Sequence, residues 1–100
     1  MDLEDLTAAT FAPLRDTAFR VVGTDYDGVE LQLTGAEPLP AHRGAPRPEP
    51  FSLVFAGPVQ PRLEQRTYRL AHAELGEIEI FLVPIGYEPT GRLLYEAVFN

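Results

Sequence analysis

The chain contains no cysteine and no lysine, and its only serine is Ser52. Without cysteine there is no disulfide, no thiolate nucleophile, and no zinc–thiolate or iron–sulfur ligation. Without lysine there is no Schiff-base nucleophile and no phosphate-loop lysine. Ser52 lies between Phe51 and Leu53 in a strand pattern with no Gly-x-Ser-x-Gly elbow around it, so it reads as an outward-facing strand serine.

Positive charge is scarce. Eight basic residues, all arginine, face fifteen Asp and Glu, for a net charge of −7. Affinity for polyanions comes largely from Lys and Arg neutralising phosphates, so nucleic acid is an unsuitable partner. Anionic membrane surfaces are disfavoured for the same reason. Long apolar runs are also missing. Ile80 to Ile85 is far short of the ~20 residues that span a bilayer. The first residues, Met1-Asp2-Leu3-Glu4-Asp5, are acidic where a signal peptide is basic, which points to a cytoplasmic protein.

What is present fits one folded domain over residues 1–100. The hydrophobic fraction is 45 %, too high for a disordered chain. Residues 2–14 read as a short helical segment, with Asp2 or Thr7 as cap and Pro13 as terminator. Such a helix is too short to stand alone and is expected across an open end or face of a β unit. Residues 17–34 read as a hairpin around Thr24-Asp25-Tyr26-Asp27-Gly28, with Asp-Gly as the turn signal. Residues 37–50 contain five prolines and read as a long Pro-rich loop, the first place to look for a partner contact. Residues 51–99 alternate through four further strands. In the run Glu77-Ile78-Glu79-Ile80-Phe81-Leu82-Val83, Ile78, Ile80 and Leu82 face inward. Phe81 and Val83 add apolar residues on the opposite face, where the N-terminal helix is the expected cover. An exposed aromatic cluster near Phe81 or Tyr87 would instead mark a docking face or a homo-oligomer. Six strands with short turns predict a meander, mainly β, closing into a small antiparallel barrel or a strongly curled sheet with one short N-terminal helix.

The second half carries a recognisable pattern. Phe51-Ser52-Leu53-Val54-Phe55-Ala56-Gly57-Pro58 is followed by Thr67-Tyr68-Arg69-Leu70-Ala71-His72 and Glu74-Leu75-Gly76. Phe81-Leu82-Val83-Pro84-Ile85-Gly86 and Tyr95-Glu96-Ala97-Val98-Phe99-Asn100 complete it. This pattern resembles an uncharacterised family of small bacterial domains, a domain-of-unknown-function family. Ala73 stands where the family pattern has proline, which should soften that turn. The resemblance implies no activity and no binding residue. Its implied association with genes for tail-fibre-like proteins would make this an accessory or chaperone-like protein.

No catalytic, cofactor-binding or metal-binding set emerges. His72 follows Leu70 on the inward pattern and is expected to fix its turn through a turn carbonyl or the Glu74 carboxylate. His42 lies in the Pro-rich loop, and two histidines thirty residues apart make no metal motif. Asp25, Asp27 and Gly28 match only a fragment of a calcium loop, and a tight turn accounts for them. Glu77 and Glu79 share a strand face and could pair with Glu96, but solvent-facing glutamates satisfy the same pattern. Arg43 and Arg47, with Arg62, Arg66 and Arg69, would form a basic patch if the loops met. The expectation is a non-enzymatic β domain acting through protein–protein contacts, accessory to a tail-fibre-like or other surface assembly. The alternative is a barrel for a small ligand or anion, or an enzyme with a site near His72, Arg69 and Tyr95. That alternative predicts a polar-lined internal pocket.

Overall fold

A computed structural model describes residues 6–40 and 49–99. Thr7 takes an extended backbone and starts helix α1 (Ala8–Phe11), and its N–H donates to the Thr10 hydroxyl at 3.1 Å. A 3-10 turn over Ala12–Leu14 follows, with Pro13 in its opening positions where no N–H is needed. Among the described residues helical structure begins at Ala8, and the cap at Asp2 lies outside them.

Among the described residues six strands follow: β1 (Ala18–Val22), β2 (Glu30–Pro38), β3 (Phe51–Gly57), β4 (Arg66–His72), β5 (Gly76–Tyr87) and β6 (Leu93–Phe99). Alternation decides their faces. Leu31 and Leu33 of β2, Tyr68 and Leu70 of β4, and Ile78, Ile80 and Leu82 of β5 are buried. Glu30, Arg69, Glu77 and Glu79 between them are exposed. The β1–β2 turn is built from its own polar groups. Asp27 accepts the Gly23 N–H at 2.7 Å, and the Thr24 hydroxyl accepts the Tyr26 N–H at 3.0 Å. Strand β2 runs further than expected and takes in Glu37 and Pro38, opposite Ser52 and Phe51. Proline is tolerated there because it sits at the last position of the strand. Residues 41–48 of the Pro-rich loop, including His42, Arg43 and Arg47, lie outside the described residues.

The strands close into an antiparallel barrel in the order β1-β2-β3-β6-β5-β4, with β4 returning to β1 through Val21↔Leu70. This is not the simple meander the short turns implied. Two three-stranded meanders, β1–β3 and β4–β6, are joined through segment 58–65. That segment carries Pro58 and Pro61, so it forms no tight hairpin, and β3 pairs with β6 in place of β4. Leu63 from the same segment is fully buried and closes one end of the barrel. Gly57 precedes the segment, and a Cβ there would lie 2.6 Å from Cδ2 of the buried Leu31, so any side chain would have to displace that packed leucine.

Helix α1 closes the other end. The Phe11 ring lies 6.5 Å from Phe19, 5.9 Å from Phe51 and 6.3 Å from Phe99. Phe51 and Phe99 stack at 4.5 Å across β3 and β6. The helix packs on β2 and β3, so it does not cover the outer face of β5 as expected. Phe81 is left 49 % exposed there. A single turn of helix has one apolar side to bury, and Phe11 commits it to the barrel end.

Candidate functional site

The barrel lumen is the first place for a ligand, and it is full. Phe19, Val21, Leu31, Leu33, Leu53, Phe55, Leu70 and Leu82 have no exposed surface, and Tyr68, Ile80, Tyr95 and Ala97 have almost none. Each such large side chain contributes about 1.5–3 kcal/mol by leaving water. The polar-lined pocket expected of a ligand barrel is replaced by apolar packing, and the clefts around the barrel open at its surface.

His72 is buried at the end of β4, and every polar atom of its ring is engaged. Its Nδ1 accepts the backbone N–H groups of Glu74 at 3.0 Å and Leu75 at 3.4 Å. Its Nε2 lies 2.8 Å from the Thr17 hydroxyl. That hydroxyl gives its own proton to the Leu14 carbonyl at 2.5 Å, so Nε2 carries the imidazole proton and donates it to Thr17. The turn is therefore held through its amides, not through a carbonyl or the Glu74 carboxylate. The amides come from residues 74 and 75, so alanine in place of proline at 73 leaves the lock intact. Thr17 leaves no signal in the sequence, because its partner lies fifty-five positions away.

The constellation of His72, Arg69 and Tyr95 is not assembled. Arg69 faces outward from β4 and reaches Glu79 at 3.4 Å and Glu77 at 3.9 Å. All three are more than half exposed, so these pairs contribute about 0–1 kcal/mol each. Tyr95 points inward toward the far end of the barrel, where its hydroxyl accepts the Leu63 N–H at 3.0 Å. Tyr68 works beside it and donates to the Glu64 carbonyl at 2.6 Å, under the Arg66 guanidinium at 5.2 Å from its ring. Burial pushes both phenols above their ordinary value. These tyrosines tie down segment 58–65, so they anchor structure at the end opposite His72.

The remaining candidates disperse. Glu96 lies opposite Val83 and Val54, not opposite Glu77 or Glu79, so the carboxylates form no facing pair. Ser52 keeps the outward register opposite Val98 but is only 7 % exposed, sheltered in its row of the sheet. Arg92 pairs with Glu88 and donates to the Gln32 side-chain oxygen at 2.6 Å. Its hydrogen bond, with one from the Thr90 hydroxyl, holds the Glu88 carboxyl below its usual range. Arg62 and Arg66 flank the closing segment, and Arg69 is taken by β5, so the described arginines form no common patch. Among the described residues no three His, Asp or Glu side chains are grouped to hold a metal ion. No described helix is long and apolar enough to cross a membrane.

The surface holds what the interior does not. Along the outside of β5, Phe81 is 49 % and Ile85 48 % exposed, with half-buried Val83 between them. Val98 on neighbouring β6 is 47 % exposed, and Tyr87 at the end of β5 is 65 % exposed. Ile85 keeps the outward parity of Phe81 and Val83, and it is the residue skipped in the pairing at a bulge between Pro84 and Gly86. The strand alternation contained this stripe, but the expected helical cover concealed its meaning.

The class is thus a closed six-stranded antiparallel barrel with an apolar lumen, plugged at both ends and carrying an apolar stripe outside. The chain belongs to the family described as Domain of unknown function (DUF6916), whose model matches residues 6–99. No curated protein and no solved structure matches it.

Proposed function

We propose that this domain has no catalytic role and acts through protein–protein contact, using the outer face of β5 and β6 as its contact surface. The observation that carries the reading is the stripe of Phe81, Val83, Ile85 and Val98 on adjacent strands of a barrel whose lumen is already full. Single exposed apolar residues are ordinary, whereas a contiguous row on one sheet face is a common mark of docking. The proposal extends to an accessory role in a tail-fibre-like or other surface assembly, which rests on the family resemblance alone. A photo-crosslinking amino acid in place of Phe81, compared with one in place of Asp25 on the β1–β2 turn, tests the reading in native cells. Discrete adducts from position 81 and none from position 25 are expected. Equal labelling from both positions, or none from either, would overturn it.

A further inference from the structure

We infer that the β5–β6 face receives an extended segment of a partner protein in which apolar side chains alternate with Lys or Arg. This rests on the reading that the face is a contact surface, and it specifies the partner's chemistry.

The backbone supplies the first argument. Registered pairs between β5 and β6 run from Tyr87↔Leu93 only as far as Val83↔Glu96. Yet β5 begins at Gly76, and β6 continues to Phe99. Beyond the last pair, β5 is held by β4 and β6 by β3. The strands part, and a cleft of about 290 Å³ opens there, lined by Thr67, Glu79, Phe81, Ala97 and Val98 among others. A gap between strand edges suits an extended chain, whose main chain joins the sheet while alternate side chains meet the surface.

Side chains supply the second argument. Phe81 and Val98 give the cleft its two half-exposed apolar walls. Glu79 lines the same cleft, and Glu96 stands on β6 opposite Val83. Glu79 shares Arg69 with Glu77, and Glu96 has no ion-pair partner among the described residues. The site is therefore apolar with an acidic rim, on a chain of net charge −7. Lys or Arg spaced between apolar residues answers both features. A second copy of this chain would bring its own carboxylates against these, and like charges across a strand pair are destabilising. Nucleic acid and anionic lipid are repelled by the same rim.

Three short labelled peptides test the inference against the full chain by fluorescence anisotropy. One alternates valine with lysine, one valine with glutamate, and one glycine with lysine. The valine–lysine peptide is expected to bind, and the other two at least about tenfold more weakly, since both apolar anchors and charge match contribute. Phe81→Ser with Val98→Ser should weaken binding about tenfold or more, the scale of losing interface anchors. Glu79→Gln with Glu96→Gln should weaken it less and flatten its salt dependence. Hydrogen exchange on the unaltered protein provides a readout that needs no variant, with slowed exchange expected along residues 79–82 and 97–98. Equal binding of the valine–glutamate or glycine–lysine peptide would overturn the inference, as would absence of binding or slowed exchange elsewhere. Concentration-dependent dimerisation lost in the Phe81→Ser, Val98→Ser variant would assign the face to a second copy and also overturn it. Crosslinks from position 81 that persist while the peptides fail would leave the contact-surface reading standing and remove only the partner chemistry.

Discussion

The two ends of the barrel are closed by different physics. At the helix end, Phe11 enters a cluster of Phe19, Phe51 and Phe99 rings, and closure is apolar burial. At the far end the plug is an irregular segment, and two tyrosine hydroxyls answer the backbone of Leu63 and Glu64. Helix α1 is a single turn whose opening Thr7 N–H is met within the turn by the Thr10 hydroxyl, so the Phe11 side chain suffices to seat it. An irregular segment drawn into a barrel brings unpaired amides and carbonyls, and these need partners or cost free energy.

Breaking each plug should expose this difference. Phe11→Ala is expected to have the largest effect, a loss of about 3–5 kcal/mol by denaturant unfolding, because it empties the centre of a ring cluster. Tyr95→Phe keeps the ring and strands the buried Leu63 N–H. A loss of about 1–3 kcal/mol is expected, with hydrogen exchange at Leu63 accelerated and the helix end unaffected. A loss of equal protection at both ends would erase the distinction between them.

The far end should also be the alkali-sensitive one. Burial raises the Tyr68 and Tyr95 phenols above their unfolded value of 10.0 in the native chain, so folding favours their neutral forms. Their contribution is complete below pH 10.0 and is lost as pH rises through the higher native values. Denaturant midpoints should fall above that pH, and less steeply in the Tyr95→Phe variant. Replacing His72 by Leu removes the acceptor for two turn amides and the link to Thr17, for an expected loss of about 1–2 kcal/mol at the helix end. Arg69→Ala, on the outer face between the ends, should change stability by no more than about 0–1 kcal/mol. A larger loss there would mean that its exposed ion pairs hold β4 to β5.

Much of the barrel was legible in the chain. The Glu77–Val83 alternation specifies a strand and its buried face, and the Asp27-Gly28 turn specifies the first hairpin. The Tyr68-Leu70-His72 alternation specifies that His72 lies inward at its turn. Thr17 and Leu63 were not legible, because each acts through a partner distant in sequence: Thr17 through His72, and Leu63 through Tyr95. The exposure of Phe81 was hidden for a related reason. An apolar residue on an outward register reads as covered until the place of every other element is known.

Local pattern by itself determined that this chain makes six strands, one short helix and no cysteine or lysine chemistry, because alternation, turn residues and composition act over a few positions. Tertiary structure alone decided that β3 pairs with β6, that β4 closes onto β1, and that the helix plugs an end. It also decided that the outer β5–β6 stripe stays open. Pairing of strand edges and filling of a lumen are collective outcomes, settled by which arrangement buries all the inward faces at once.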